Sequence, residues 1–167
     1  STFVSRISRA RPKVADYPFT TLKPNLGVVK VDDERSFVIA DMPGLIEGAA
    51  DGAGLGTRFL KHIERSALFV YMVTQDLEPG RTPAGDFKAL RAELEKYDAR
   101  LLDRPAMVVL SQCDRPDARE GLEQLREAVD THLEVHTISA VTGEGLQDLI
   151  WALGRAVERS GRWSDSP

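Results

Sequence analysis

The amino-acid sequence predicts a doubly wound α/β fold: a mostly parallel sheet covered on both faces by helices, with one antiparallel hairpin. Three observations carry this. The runs "LFVYMV" (Leu68 to Val73) and "AMVVL" (Ala106 to Leu110) are apolar rather than alternating, as strands buried on both faces are, and "VHTIS" (Val135 to Ser139) is expected as a third buried strand. Amphipathic helical stretches separate them, which is the order of a parallel sheet with crossover helices. Nearer the front, "LGVVKV" (Leu26 to Val31) and "SFVIAD" (Ser36 to Asp41) flank "DDER", a connection of hairpin length.

The elements follow in chain order. The opening "STFVSR" is helical in character. After the hairpin and the first buried strand, Phe87, Leu90, Leu94 and Tyr97 lie on one face of a helix. A second helix is expected to carry Leu122, Leu125, Val129 and Leu133. In the last, Leu146, Leu149, Ile150 and Leu153 recur at i, i+3, i+4 and i+7. Thr142 is expected to cap that helix, and Trp151, near its apolar face, is expected in the core. Residues 160–167 form a polar tail or linker.

Composition narrows the function classes. A chain of 167 residues is long enough for one domain with an ordinary core. It is 42% hydrophobic and 29% charged, the balance of a globular domain. A net charge of -4 provides no global basic field for DNA or RNA, and no sequence-specific DNA binding is expected. The longest apolar run, Ala67 to Val73, is far too short to span a bilayer. A single cysteine, Cys113, excludes an internal disulfide framework and suits a reducing cytoplasm. His62, His132 and His136 have no metal-binding spacing among themselves.

In open parallel sheets, ligands bind outside the carboxyl ends of the strands. Those ends read Asp41 with "MPG", Thr74 with "QDLEPG", Ser111 with "QCD" and Ser139 with "AVTGEG". An aspartate ending a buried strand can hold a water on Mg²⁺, and Gly44 lets a backbone N–H approach a phosphate; read alone, "DMPG" is equally an ordinary turn. The threonines of "YPFTTLKPNLG" can ligate Mg²⁺, as in loops ordered by a triphosphate, or can merely lead into a strand. Asp114 can accept two hydrogen bonds from a guanine edge, or "DRPDARE" is only the start of a helix. The small residues of "SAVTGEG" would let backbone N–H groups reach a purine, or simply precede the last helix. Each signal is modest alone. Together they stand in order on one edge of a fold that would assemble a P-loop GTPase.

The chain closely resembles the Obg family of GTPases from Ser1 to about Val157. The matching stretches are "SRISRARPKVADYPFTTLKPNLGVV", "DMPGLIEGAADGAGLGTRFLKHIERS" and "SAVTGEGL". The resemblance implies a P-loop NTPase-type fold, with a GTPase domain over residues 1–159 that is incomplete at its N-terminus. By that resemblance GTP and GDP would be bound by Ser1, Thr2, Phe19, Thr20, Thr21, Leu22, Lys23, Asp41, Met42, Pro43, Gly44, Ser111, Gln112, Cys113, Asp114, Ser139, Ala140 and Val141. Phe19 to Lys23 would form the first switch, and Asp41 to Gly44 with the following loop the second. Ser1 and Thr21 would ligate Mg²⁺, and Asp41 would hold it through water; K⁺ is a further cation the resemblance allows. Asp114 would read guanine, with Ser139 and Ala140 at its carbonyl oxygen. Ras-like enzymes orient the attacking water with a glutamine just after D-x-x-G. Here Leu45 and Ile46 stand there, so slow hydrolysis is expected and no catalytic residue is assigned. The implied role is large ribosomal subunit assembly and stress signalling in the cytoplasm.

Two departures qualify that expectation. A P-loop reads G-x-x-x-x-G-K-[ST], and the chain opens at the serine of that pattern. In the family the preceding strand lies in mid-sheet. Burying about five apolar side chains there at ~1.5–3 kcal/mol each is worth roughly 8–15 kcal/mol. That is as large as the whole net stability of a domain, about 5–15 kcal/mol, so the sequence is expected to belong to a longer chain. Second, "SQCD" replaces the family's N-K-x-D. Ser111 stands for an asparagine that ties the base loop to the P-loop, and Gln112 for a lysine whose stem covers the base. Guanine preference with weakened affinity is the expectation. Two alternatives remain open: an interaction module with impaired nucleotide binding, and an ATP-preferring relative of Obg.

Overall fold

The computed structural model describes residues 2–7, 13–14, 25–41, 66–75 and 79–160. They fall in two compact units, one drawn from residues 1–67 and 150–167, the other from 68–149.

In the first unit, helix α1 (Thr2–Ile7) is followed by strands β1 (Lys13–Val14), β2 (Asn25–Lys30) and β3 (Ser36–Ala40). The strands form an antiparallel sheet in the order β1-β2-β3. The predicted hairpin is present, with Val28 opposite Val38 and Lys30 opposite Ser36. Its turn is built by Asp32, whose Oδ1 accepts from the backbone N–H of Glu34 at 3.0 Å and of Arg35 at 2.7 Å. Arg35 also donates through Nε to Asp32 Oδ2 at 2.8 Å, and this hydrogen bond, more than any other influence, holds the Asp32 carboxyl below its usual pKa. Alternation along the hairpin buries Val29 and Phe37 and leaves Val28 and Val38 exposed. Val31 packs on helix α4 (Leu146–Ser160) at Gly154, where a Cβ would meet the Val31 methyls at 3.0 Å. A pair between Arg35 and Glu158 at 3.3 Å ties the same turn to the same helix.

In the second unit, β4 (Phe69–Thr74), β5 (Ala106–Ser111) and β6 (Glu134–Thr137) form a parallel sheet in that order. Met107, Val108, Val109 and Leu110 of the central strand are buried in succession, as continuous apolarity predicts. Helix α2 (Pro83–Tyr97) begins where Thr82 Oγ1 accepts from the Gly85 N–H at 3.0 Å and Pro83 takes the first helical position. It buries Phe87, Leu90 and Leu94. Phe87 meets Tyr71 edge-to-face at 5.5 Å between centroids, and Arg91 lies 5.7 Å over the same tyrosine. A 3₁₀ turn (Ala99–Asp103) leads into β5.

Three expectations are corrected. Helix α3 spans Ala118–Ala128, so Leu133 lies beyond it; Val129 is already extended, at φ -89° and ψ 137°, and Leu133 instead closes a turn onto Asp130. Thr142 does not cap α4. The helix starts at Leu146 after two glycines with positive φ, Gly143 and Gly145, and Thr142 Oγ1 accepts from the Glu144 N–H within the preceding loop. Trp151 is 49% exposed. The buried apolar side chains of α4 are Leu146, Leu149, Ala152, Leu153, Ala156 and Val157, and Trp151 falls on the opposite side of that stripe.

Candidate functional site

The parallel register brings three strand ends level. Thr74 pairs with Ser111 and Leu110 with Thr137, and the Ile138 N–H donates to Leu110 O at 2.9 Å. The segments that follow therefore leave from one edge, where a right-handed parallel sheet places its ligands. Ser111, Gln112, Cys113, Asp114, Ser139, Ala140 and Val141 all lie there.

Hydrogen bonds join the segments after β5 and β6. The Cys113 N–H donates to Ile138 O at 3.0 Å. One residue further along each segment, the Ser139 hydroxyl donates to Asp114 Oδ1 at 2.9 Å and accepts from the Thr142 N–H at 3.1 Å. The Ser139 N–H donates to Glu144 O at 3.0 Å, and Ser139 O accepts from the Gly143 N–H at 2.9 Å. Ser139 is fully buried and both its donors are used within the protein. Asp114 is exposed, its carboxylate plane set from below by a buried hydroxyl. A carboxylate offers about four lone-pair sites, so Oδ1 and Oδ2 can still receive donors from solvent or a ligand.

Gln112 is the one non-glycine residue with positive φ (60°) among the described residues. Its carbonyl accepts from the Arg115 N–H at 3.1 Å, closing a turn that holds Asp114 at its third position. Its side-chain Oε1 accepts from Thr74 Oγ1 at 2.9 Å. Cys113 is half-buried. Burial first, then the negative charge and hydrogen bonding of Glu144, push its thiol above the ordinary value.

Of the other predicted site residues, Asp41 directly follows β3 in the first unit and is half-buried. Thr2 opens helix α1. Ser1, Phe19, Thr20, Thr21, Leu22, Lys23, Met42, Pro43 and Gly44 lie outside the described residues. Among the described residues no group of three or more histidine, cysteine or acidic side chains could hold a metal ion. No described helix is long and apolar enough to cross a membrane. Sequence reasoning did not find Glu144 or Thr74 as partners of the site, although Thr74 was visible as a polar residue ending an apolar strand.

A parallel sheet with polar segments leaving its carboxyl edge is an α/β fold of the kind that binds ligands there, and solved structures share this fold. The cytosolic domain of the T. maritima FeoB iron transporter, in apo form, superposes with a TM-score of 0.65 at 16% identity, over 99% of this chain and 61% of that one. A putative nucleolar GTP-binding protein 1 from Plasmodium falciparum gives 0.58 at 14% identity, over 96% and 80%. The family model for 50S ribosome-binding GTPases matches residues 1–112. The chain is 52% identical over 158 residues to a GTPase Obg of Desulforudis audaxviator, covering 95% of this chain and 37% of that protein. It is 53% identical over 161 residues to a GTPase Obg of an Anaeromyxobacter species, covering 94% and 45%. The chain thus spans less than half the length of these curated relatives. It belongs to the 50S ribosome-binding GTPase family, in its Obg branch.

Proposed function

We propose that this chain is the nucleotide-binding part of an Obg-type switch protein that binds GTP with Mg²⁺ and hydrolyses it to GDP. The observation that carries the reading is the Ser139–Asp114 hydrogen bond at the carboxyl edge of the parallel sheet. A guanine edge presents two adjacent donors, N1–H and the 2-amino group, and the carboxylate of Asp114 presents two acceptors to match. Both donors of Ser139 are spent inside the protein, so Ser139 sets the Asp114 carboxylate and offers no donor of its own to the base carbonyl. Gln112 is drawn to Thr74 rather than laid over the base, which supports a guanine site of reduced affinity.

Mg²⁺, when bound, neutralises charge on the β- and γ-phosphates. Asp41 would hold it through water, with Ser1 and Thr21 as direct ligands; K⁺ is a second cation the family resemblance allows. Residues 1–159 would be the GTPase domain and 160–167 its linker. In this reading the triphosphate orders the segments around Thr21 and Gly44, and hydrolysis releases them. Membership of the family supports, as part of this proposal, a role on the large ribosomal subunit, in stress signalling and in the cytoplasm.

Phosphate release from GTP by the full-length protein tests this. We expect slow turnover that requires Mg²⁺ and falls by about 10²-fold or more in Asp41→Ala, a loss of the size seen when one transition-state contact is removed. Turnover indifferent to both Mg²⁺ and Asp41 would contradict it, as would the absence of any GTP hydrolysis.

A further inference from the structure

Thr74 ends β4 level with Ser111, and no part of the base-reading scheme above gives it a task. Its hydroxyl nevertheless donates to Gln112 Oε1 at 2.9 Å. Gln112 occupies the left-handed region at φ 60°, a conformation that residues with a Cβ disfavour and that persists where surroundings enforce it. The same residue begins the turn closed by the Arg115 N–H at 3.1 Å. Asp114, inside that turn, must reach Ser139 at 2.9 Å. If Gln112 relaxes to a right-handed or extended φ, the chain leaves it in another direction and the Asp114 carboxylate is re-aimed. The Cys113 N–H bond to Ile138 O and the Arg115 N–H bond to Gln112 O hold the two ends of the peptide unit after Gln112, and Thr74 adds an anchor on its side chain.

We propose that Thr74 is a positioning residue for base selectivity: by gripping the Gln112 side chain it holds the left-handed turn that aims Asp114 at the base. The inference rests on the guanine-reading role of Asp114 proposed above. It adds a residue from a different strand, acting through another residue and not by contact with the nucleotide. A neutral hydroxyl–amide pair suits the task at this half-buried strand end, because it needs no counter-ion and tolerates no change of donor.

Dissociation constants for GDP and IDP, measured on the full-length protein, supply the readout, since inosine lacks only the 2-amino donor that Asp114 would receive. Thr74→Val keeps the β-branched shape and removes the donor. It should lower the GDP-over-IDP preference by about three- to tenfold, the worth of one buried hydrogen bond. Thr74→Ser keeps the donor and should retain the preference. Glycine adopts positive φ without strain, so Thr74→Val introduced into Gln112→Gly should change the preference by less than twofold relative to Gln112→Gly alone. Should Thr74→Val fail to fold, Gln112→Ala removes the acceptor instead and carries the same expected loss. The assignment is overturned if Thr74→Val lowers the melting temperature while the GDP-to-IDP ratio stays at the wild-type value. It is equally overturned if the loss is as large in the Gln112→Gly background. A wild-type protein with no preference for GDP over IDP would instead overturn the guanine-reading role of Asp114 itself, whereas a selective wild type with an unaffected Thr74→Val refutes only the role of Thr74.

Discussion

Asp114→Asn is expected to weaken GDP binding by roughly 10²-fold or more and to create measurable binding of XDP, the xanthine analogue. The carboxylate offers two acceptors to the two donors of guanine. An asparagine amide offers one acceptor and one donor, leaving a guanine donor facing an N–H. Xanthine keeps the N1–H but has a carbonyl oxygen where guanine has the 2-amino group, so it matches the amide. The Ser139 hydroxyl, buried below Oδ1, can still donate to the asparagine oxygen, so the loop keeps its shape and the change stays chemical. Competition binding of GDP and XDP to wild-type and variant protein measures it. Equal weakening of both nucleotides would mean that Asp114 supports the loop without reading the base.

The second large effect is on stability. Gly145 sits at φ +76°, and a Cβ built there would lie 2.0 Å from the carbonyl oxygen of Thr137. Neither partner can yield easily, because one is backbone and the other is the start of α4. Gly145→Ala therefore combines the strain of a positive φ with overpacking against backbone and should cost about 2–4 kcal/mol. For a chain of this size that lowers the melting temperature by roughly 5–15 °C. Gly80 is the control. Its φ is +89°, yet nothing lies within 4 Å of its Cβ position, so Gly80→Ala should cost only about 1 kcal/mol. Thermal unfolding of the two variants side by side separates packing from torsion; equal losses would mean that the Thr137 contact contributes nothing.

Much of this architecture was legible in the sequence because it follows from burial alone. Met107 to Leu110, apolar throughout, are buried in succession, whereas the equally apolar β4 buries only Tyr71 and Val73. The helical stripe Phe87, Leu90, Leu94 predicted its own buried face. The differences at Leu133 and Thr142 arise where local backbone torsion decides, and that at Trp151 from helical phase. Extending the second helix to Leu133 trusted spacing over the extended Val129 and the turn at Asp130 that end it. Trp151 is expected in the core for its place near the apolar face of the last helix, yet it stands five residues from Leu146 and off the stripe that Leu149 and Leu153 continue. Thr142 has the chemistry of a cap, but two positive-φ glycines delay the helix past its reach.

The strand-end residues were equally legible as a set, since polarity at the end of an apolar strand marks an edge. Their interactions were not. That Ser139 points its hydroxyl at Asp114 depends on register between β5 and β6, which strand composition does not encode. That Gln112 takes a left-handed turn is unexpected for a residue with a side chain, and the partner that meets it comes from a strand 38 positions earlier in the chain.

The central claim is that the edge carrying Asp114 and Ser139 is a guanine site, despite Ser111 and Gln112 in place of the family's asparagine and lysine. Displacement of a fluorescent GDP analogue from the full-length protein by unlabelled GDP and by ADP tests it most directly. GDP is expected to displace the probe at concentrations at least ~10²-fold lower than ADP does, because adenine has no donor pair for the Asp114 carboxylate. Displacement by both nucleotides at the same concentration, or by ADP first, would contradict it.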